Sequence, residues 1–415
     1  MKKIYDDAQA MIKNIIAENM PQIAVQDALK NHSFSGNIYV IAIGKAAWTM
    51  AKAAADYLGK RIIKGIIVTK YDHSGGPLSG FEIYEAGHPV SDENTITATG
   101  KCIELAKTLT KDDDLIFLVS GGGSALFEKP MDGINLEDIQ DVTNQLLASG
   151  ADIVEMNMIR KRFSAVKAGR FAKLAEPAKV FAIILSDVLG DRLDSIASGP
   201  AVPDYSTIED AAKVAEKYKL KLSDTLQKYL TQETPKEINN VITEITGSVR
   251  TLTESAAKTA SALGYTPVIL TTTMNCEAAE AGRFLSSIAA DTSQNRSSFN
   301  KPCAIIAGGE TVVTLKGSGK GGRNQEIALA AAKGIAGLEN ILIFSLGSDG
   351  TDGPTDAAGG IVTGETIAML REKGLNIDNI LANNDAYNGL AAVDSLIITG
   401  PTGTNVNDVT VVLCQ

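Results

Sequence analysis

Two periodicities alternate along this chain. Short runs rich in aliphatic and β-branched residues at 38–43, 62–68, 115–119, 180–185, 267–270, 304–307, 341–345, 395–398 and 409–413 predict strands. Between them, apolar residues return every three or four positions over 92–109, 136–148, 251–263, 277–292 and 325–334, the spacing of amphipathic helices. A helix is also expected over about 5–29, broken at Pro21, with a pattern that fits packing on either domain. Strands that are apolar at every position are buried on both faces. In alternation with helices they predict an α/β fold with mainly parallel sheets. The periodicity lapses in the polar segment 231–240, where Pro235 ends any helix, and a domain junction is expected there. A chain of 415 residues also exceeds what one core organises, so two domains are expected.

In such sheets ligands bind beyond the carboxyl ends of the strands. Five of the runs lead directly into glycine, small hydroxyl or acidic residues. The first reaches Gly44-Lys45-Ala46-Ala47, placing a lysine where a helix begins and where it can meet a phosphate or oxyanion. The third reaches Ser120, Gly121, Gly122, Gly123 and Ser124, a backbone-rich candidate anion cradle. The fourth reaches Asp187 and Asp191, carboxylates able to hold Mg²⁺, accept a proton or cap a helix. The others reach Gly308-Gly309-Glu310-Thr311 and the aspartate-bearing segment 347–353.

A further stretch, Gly317-Ser318-Gly319-Lys320-Gly321-Gly322-Arg323, follows a strand-like segment at 311–315. It satisfies G-x-G-x-x-G but not the Walker pattern, because Gly321 follows Lys320. It reads as a mobile loop that exposes its backbone and brings two cations to the next helix, where Arg323 can stabilise charge on a transferring phosphoryl group.

Composition narrows the chemistry. Apolar residues make up 44% and charged residues 21%, ordinary for a soluble protein, and the net charge of −10 argues against nucleic acid as partner. Asp6, Asp7 and Lys13 interrupt any signal-peptide core, and no apolar run approaches a membrane span, so a cytoplasmic protein is expected. Cys102, Cys276, Cys303 and Cys414 are scattered, and His32, His73 and His88 are too dispersed for a histidine-based metal centre. No Ser-His-Asp set is apparent, whereas glycine, aspartate, lysine and arginine abound at strand ends. That inventory favours phosphoryl transfer over nucleophilic hydrolysis.

The segments 43–46 (IGKA), 120–126 (SGGGSAL), 185–191, 198–203 (SGPAVP), 308–311 (GGET), 321–326 (GGRNQE), 348–358 (SDGTDGPTDAA) and 400–408 occur in that order over most of the chain. Together they resemble the glycerate 2-kinase family. The resemblance implies a Rossmann-like N-terminal glycerate-kinase domain (1–235), a dissimilar C-terminal MOFRL domain (236–415) and an active site in the cleft between them. It further implies ATP-dependent phosphorylation of D-glycerate at the 2-hydroxyl with Mg²⁺, in a monomer or homodimer. Lys45 and Arg323 match functional residues of the family. Asp187 joins them in catalysis, Ser120 to Ser124, Lys320, Gly321 and Gly322 in substrate or phosphate binding, and Asp187 with Asp191 in metal binding. Two rival readings stand beside it. One is an NAD(P)-dependent hydroxypyruvate reductase using the glycine stretch as its fingerprint, although Asp349 lies 27 residues beyond Gly322 where a ribose-binding acid is expected about 20 residues on. The other is a sugar-acid or nucleotide sensor without turnover.

Overall fold

The computed structural model describes residues 2–415, which form two compact units, one of residues 21–246 and one of residues 2–20 with 247–415. The first unit carries strands β1 (Asn37–Ile43), β2 (Ile62–Lys70), β3 (Phe81–Ala86), β4 (Asp113–Val119), β5 (Lys179–Leu185) and β6 (Val241–Gly247). They lie in the order β3-β2-β1-β4-β5-β6, with every pairing from β3 through β5 parallel. This is the Rossmann strand order, and its direction of winding reverses between β1 and β4. The uninterrupted apolar strands follow from burial on both faces. Ile41, Ile43, Phe117 and Val119 pack toward the helix Glu93–Thr108, while Val40, Ala42, Ile116 and Leu118 pack toward the helices Pro21–Asn31 and Ala47–Leu58. A separate helical cluster built on Ile139, Leu146, Ile159, Phe163 and Leu226 completes the unit.

The second unit holds β7 (Thr266–Met274), β8 (Cys303–Gly309), β9 (Ile341–Gly347), β10 (Gly359–Thr363), β11 (Leu396–Ile397) and β12 (Asp408–Cys414) in the order β11-β10-β9-β12-β8-β7. β7 and β8 are parallel, but β12 runs antiparallel between β8 and β9, and β10 antiparallel to both β9 and β11. Most strands therefore share one direction while β10 and β12 run against it. That reversal brings the start of β12 to the carboxyl ends of β8 and β9, with Asp408 opposite both Gly309 and Gly347.

The N-terminal helix proves to be two. Lys2–Glu18 buries Ile4, Ala8, Met11, Ile12 and Ile15, one stripe at helical spacing, against Leu252, Ala256, Phe344 and Leu413 of the second unit. The helix after Pro21 packs in the first unit. The polar segment expected as a junction, 231–240, precedes β6, the last strand of the first sheet. The 311–315 segment forms no strand beyond a single bridge between Val312 and Glu277.

Candidate functional site

In the first unit, the residues two places beyond four of the strands converge. β1 and β4 end in register, Ile43 beside Val119, so Gly44 and Ser120 leave the sheet side by side. Gly44 has φ +108°, and a Cβ there would stand 2.4 Å from Ser120 O, so only glycine permits the approach. Lys45 N–H then donates to Gly121 O at 2.9 Å. The Ser120 hydroxyl donates to Ile43 O (3.2 Å) and accepts from Ala46 N–H (3.0 Å). Buried at 3% exposure, that side chain serves as a strut that fixes the Lys45 turn against the glycine turn.

The glycine run makes room for other groups. A Cβ on Gly121 would fall 2.2 Å from Asp187 Oδ2, and one on Gly123 2.8 Å from Ala197 Cβ. Gly122, at φ +83°, would bring a Cβ within 3.0 Å of the His88 ring and 3.3 Å of Lys45 Cγ. Lys45, the Gly121–Gly123 backbone, Asp187 and His88 thus share one place at the strand ends, on either side of the winding reversal where this fold class binds ligands. Burial raises the Asp187 pKa, with Lys45 pulling it back toward the charged form. Burial, then Lys45, Lys70 and His73, lowers that of His88.

Ser124 is half-buried, its hydroxyl 3.1 Å from Ser198 Oγ, which in turn donates to Asn157 Oδ1 at 3.2 Å. Beneath this turn the fully buried Lys167 donates to Ser124 O (2.9 Å), Phe127 O (3.2 Å) and Glu128 Oε2 (2.5 Å). Ala197 and Ser198 adopt φ of +49° and +59°, backbone strain of the kind that concentrates at functional sites. Asp191, also at positive φ, begins no helix; its N–H donates to Val188 O and closes a turn. Among the described residues no three His, Cys, Asp or Glu side chains gather as a metal site.

In the second unit, the helix Arg323–Gly334 opens beside the start of β12. Arg323 clasps Asp408 with two contacts, Nε to Oδ2 at 2.5 Å and Nη2 to Oδ1 at 3.1 Å, and Nη1 lies 3.3 Å from Glu310 Oε1. Burial lowers the guanidinium pKa, but the bond and charge of Asp408, with Glu310, outweigh it and raise the value overall. Asp352 Oδ2 accepts from Gln325 N–H at 2.8 Å, and a Cβ on Gly322 would stand 2.3 Å from the Asp352 carboxyl carbon. Burial lifts Asp352 to about 6, with the Asp408 charge reinforcing the effect. A carboxyl whose folded pKa lies above its ordinary 3.8 stabilises the fold fully below that value and loses the contribution as pH rises through about 6. Asp352→Asn should therefore gain stability relative to wild type between about pH 4 and pH 7, on the order of 3 kcal/mol. Paired thermal melts of the two proteins across that range check the sign and size.

The glycine stretch before Arg323 is tied along its length to residues 383–385. Lys316 and Gly317 N–H both donate to Asn384 Oδ1, Ser318 N–H to Asn383 Oδ1, Gly319 N–H to Asn383 O and Lys320 N–H to Asp385 Oδ1. Cβ atoms on Gly317 and Gly319 would meet residue 383 at 2.4 and 2.5 Å, so these glycines serve close packing instead of freedom. Lys320 holds its ammonium 4.2 Å above the Tyr387 ring, a cation–π contact at the surface. The segment opens a helix but follows no strand, so it lacks the strand–turn–helix setting of a dinucleotide fingerprint.

His88, Glu310, Asp352 and Asp408 were not singled out from the sequence as site residues. Glu310, Asp352 and Asp408 lie in the segments 308–311, 348–358 and 400–408 that carry the resemblance, and nothing local pointed to His88.

The family model "Domain of unknown function (DUF4147)" matches residues 7–231 and the MOFRL family model residues 303–408. A protein of Thermotoga maritima named D-glycerate 2-kinase is 52% identical over 96% of this chain and 95% of its own. A Pyrococcus horikoshii protein named glycerate 2-kinase is 41% identical over 98% of this chain and 93% of its own. An Agrobacterium vitis protein named putative hydroxypyruvate reductase is 38% identical over 91% of this chain and 99% of its own. The crystal structure of a glycerate kinase from Thermotoga maritima superposes with a TM-score of 0.97 at 51% identity, covering all of both chains. With both family models in order and this identity along its length, the chain belongs to the glycerate 2-kinase family.

Proposed function

We propose that this protein transfers the γ-phosphoryl group of ATP to the 2-hydroxyl of D-glycerate, releasing ADP and 2-phosphoglycerate. The observation that carries the reading is the lysine, glycine turn and half-buried carboxylate assembled at the winding reversal of the first sheet. In the transfer the substrate oxygen bonds to phosphorus as the bond from phosphorus to the bridging oxygen of ADP breaks. Asp187 is suited to receive the hydroxyl proton, its raised pKa bringing it nearer the task. Lys45 neutralises an oxyanion of substrate or donor, the Gly121–Gly123 backbone lies close enough to cradle it, and Arg323 offers charge stabilisation from a guanidinium held in fixed orientation.

Mg²⁺ fits the donor set, because it needs one or two carboxylates and takes its other oxygens from phosphates and water. Asp187, serving then as metal ligand in place of proton acceptor, or Asp191 would hold it, and its charge would neutralise the phosphates. Gly321 and Gly322 belong to the Arg323 turn, and Lys320 sits at its surface edge. No described helix is long and apolar enough to cross a membrane, and all four cysteines are free, which suits the cytoplasm that supplies ATP.

Purified protein with D-glycerate, ATP and Mg²⁺ should yield ADP and a product that phosphorus NMR identifies as the 2-phosphate. A 3-phosphate would overturn the regiochemistry. No ADP, with NAD(P)H oxidised by hydroxypyruvate, would establish the reductase, and binding without either turnover the sensor.

A further inference from the structure

A half-buried imidazole stands near Lys45 at the first unit's strand ends, and the phosphoryl transfer described above gives it no part. β3 ends at Ala86 and β1 at Ile43, and His88 and Lys45 each stand two residues farther on, as Gly121 does from β4 and Asp187 from β5. Lys70 closes β2, and His73 follows it in the next turn. His88 is half-buried, its Cδ2 and Nε2 both 3.0 Å from where a side chain on Gly122 would begin. No described residue forms a hydrogen bond with its ring, and the glycine at 122 is what lets that ring and the Lys45 stem approach the turn so closely.

We propose that His88 is a specificity residue whose ring N–H, together with the Lys45 ammonium, receives the carboxylate of the hydroxy-acid acceptor over Gly122. This rests on the proposed function for the identity of the acceptor and goes beyond it in assigning the residue that reads the carboxylate. The chemistry matches the place. An acceptor bearing a carboxylate beside the reacting hydroxyl needs a cation and a hydrogen-bond donor that face that carboxylate. A neutral imidazole supplies a hydrogen bond without a second charge, and burial with the neighbouring Lys45, Lys70 and His73 keeps it neutral. A site built to hydrogen-bond a substrate group discriminates strongly against analogues lacking it.

The test measures D-glycerate binding directly by calorimetry and, in parallel, KM and kcat for each substrate, with wild type, His88→Phe and His88→Gln. The phenylalanine fills the ring's volume without an N–H, whereas glutamine restores a donor. His88→Phe should weaken D-glycerate binding by about tenfold or more, the scale of one hydrogen bond to a charged group, leave KM for ATP within about twofold and keep the wild-type melting temperature. Glutamine should recover most of the affinity. Glycerol, which lacks the carboxylate, should lose nothing between wild type and His88→Phe. Unchanged D-glycerate affinity in His88→Phe, a shift in KM for ATP instead, or a wild type that does not bind D-glycerate would each overturn the assignment. A wild type that binds but does not turn over, with binding still lost in His88→Phe, would uphold it while removing the kinase reading. Should the phenylalanine variant unfold, His88→Gln with near-wild-type affinity alongside a weak His88→Ala decides for it, and equal affinities in those two decide against.

Discussion

Lys45→Met is expected to lower kcat/KM for D-glycerate phosphorylation by about 10²-fold or more, the scale of losing one preorganised charge stabiliser, with little change in melting temperature. The variant isolates the ammonium. The backbone of residue 45 is fixed by its bond to Gly121 O and by the Ser120 strut on Ala46, and methionine retains the stem that lies beside Gly122. A second consequence separates electrostatics from misplacement. Lys45 pulls down the Asp187 pKa against burial and helps depress that of His88. Without its charge both rise, so the acid limb of the pH–rate profile should move to higher pH. Steady-state kinetics across pH supplies both readouts. Near-normal turnover, or a slow variant with an unmoved acid limb, would take Lys45 out of the charge-stabilising role.

The strand ends were legible because a buried parallel strand leaves a continuous apolar run, and the place where glycine and aspartate replace it is where the backbone leaves the sheet. Lys45, the glycine turn and Asp187 could be read that way. The three strands that escaped, β3, β6 and β10, lack such runs. FEIYEA and VITEITG carry acids among their apolar residues and flank their sheet, while β10 opens with Gly359 and Gly360. The glycine at 359 is there because a Cβ would meet Ser345 O at 1.9 Å, a cross-strand fact with no local trace. Strand direction is equally silent: the wholly buried β12 reads the same whichever way it runs, yet its reversal is what carries Asp408 to Arg323. The same ambiguity misled the reading of 317–322, since glycine signals freedom and tight packing alike, and the packing surface at 383–385 lies more than sixty residues away. His88 escaped for a related reason. Its meaning depends on Gly122 and Lys45, which belong to other strands.

Arg323→Lys is expected to lower kcat by about 10²–10³-fold even though charge is conserved. In the proposed reaction arginine performs two tasks at once. Nε and Nη2 grip the carboxylate of Asp408, whose side chain is only 4% exposed, while Nη1 faces Glu310. That clamp fixes the plane of the guanidinium and leaves N–H groups on both terminal nitrogens for a phosphoryl oxygen, with the side chain itself 33% exposed. A lysine ammonium can satisfy Asp408 or reach outward, but it cannot do both from one fixed geometry. Part of any loss in Arg323→Ala is structural, because Asp408 is left buried beside Asp352, a carboxyl already pushed to about 6 by its burial. The double variant Arg323→Ala/Asp408→Asn removes that burden. It should regain most of the melting temperature lost by Arg323→Ala while remaining at least about 10²-fold slow. If instead the double variant recovers turnover along with stability, Arg323 serves only to neutralise Asp408 and the charge stabilisation must come from another group.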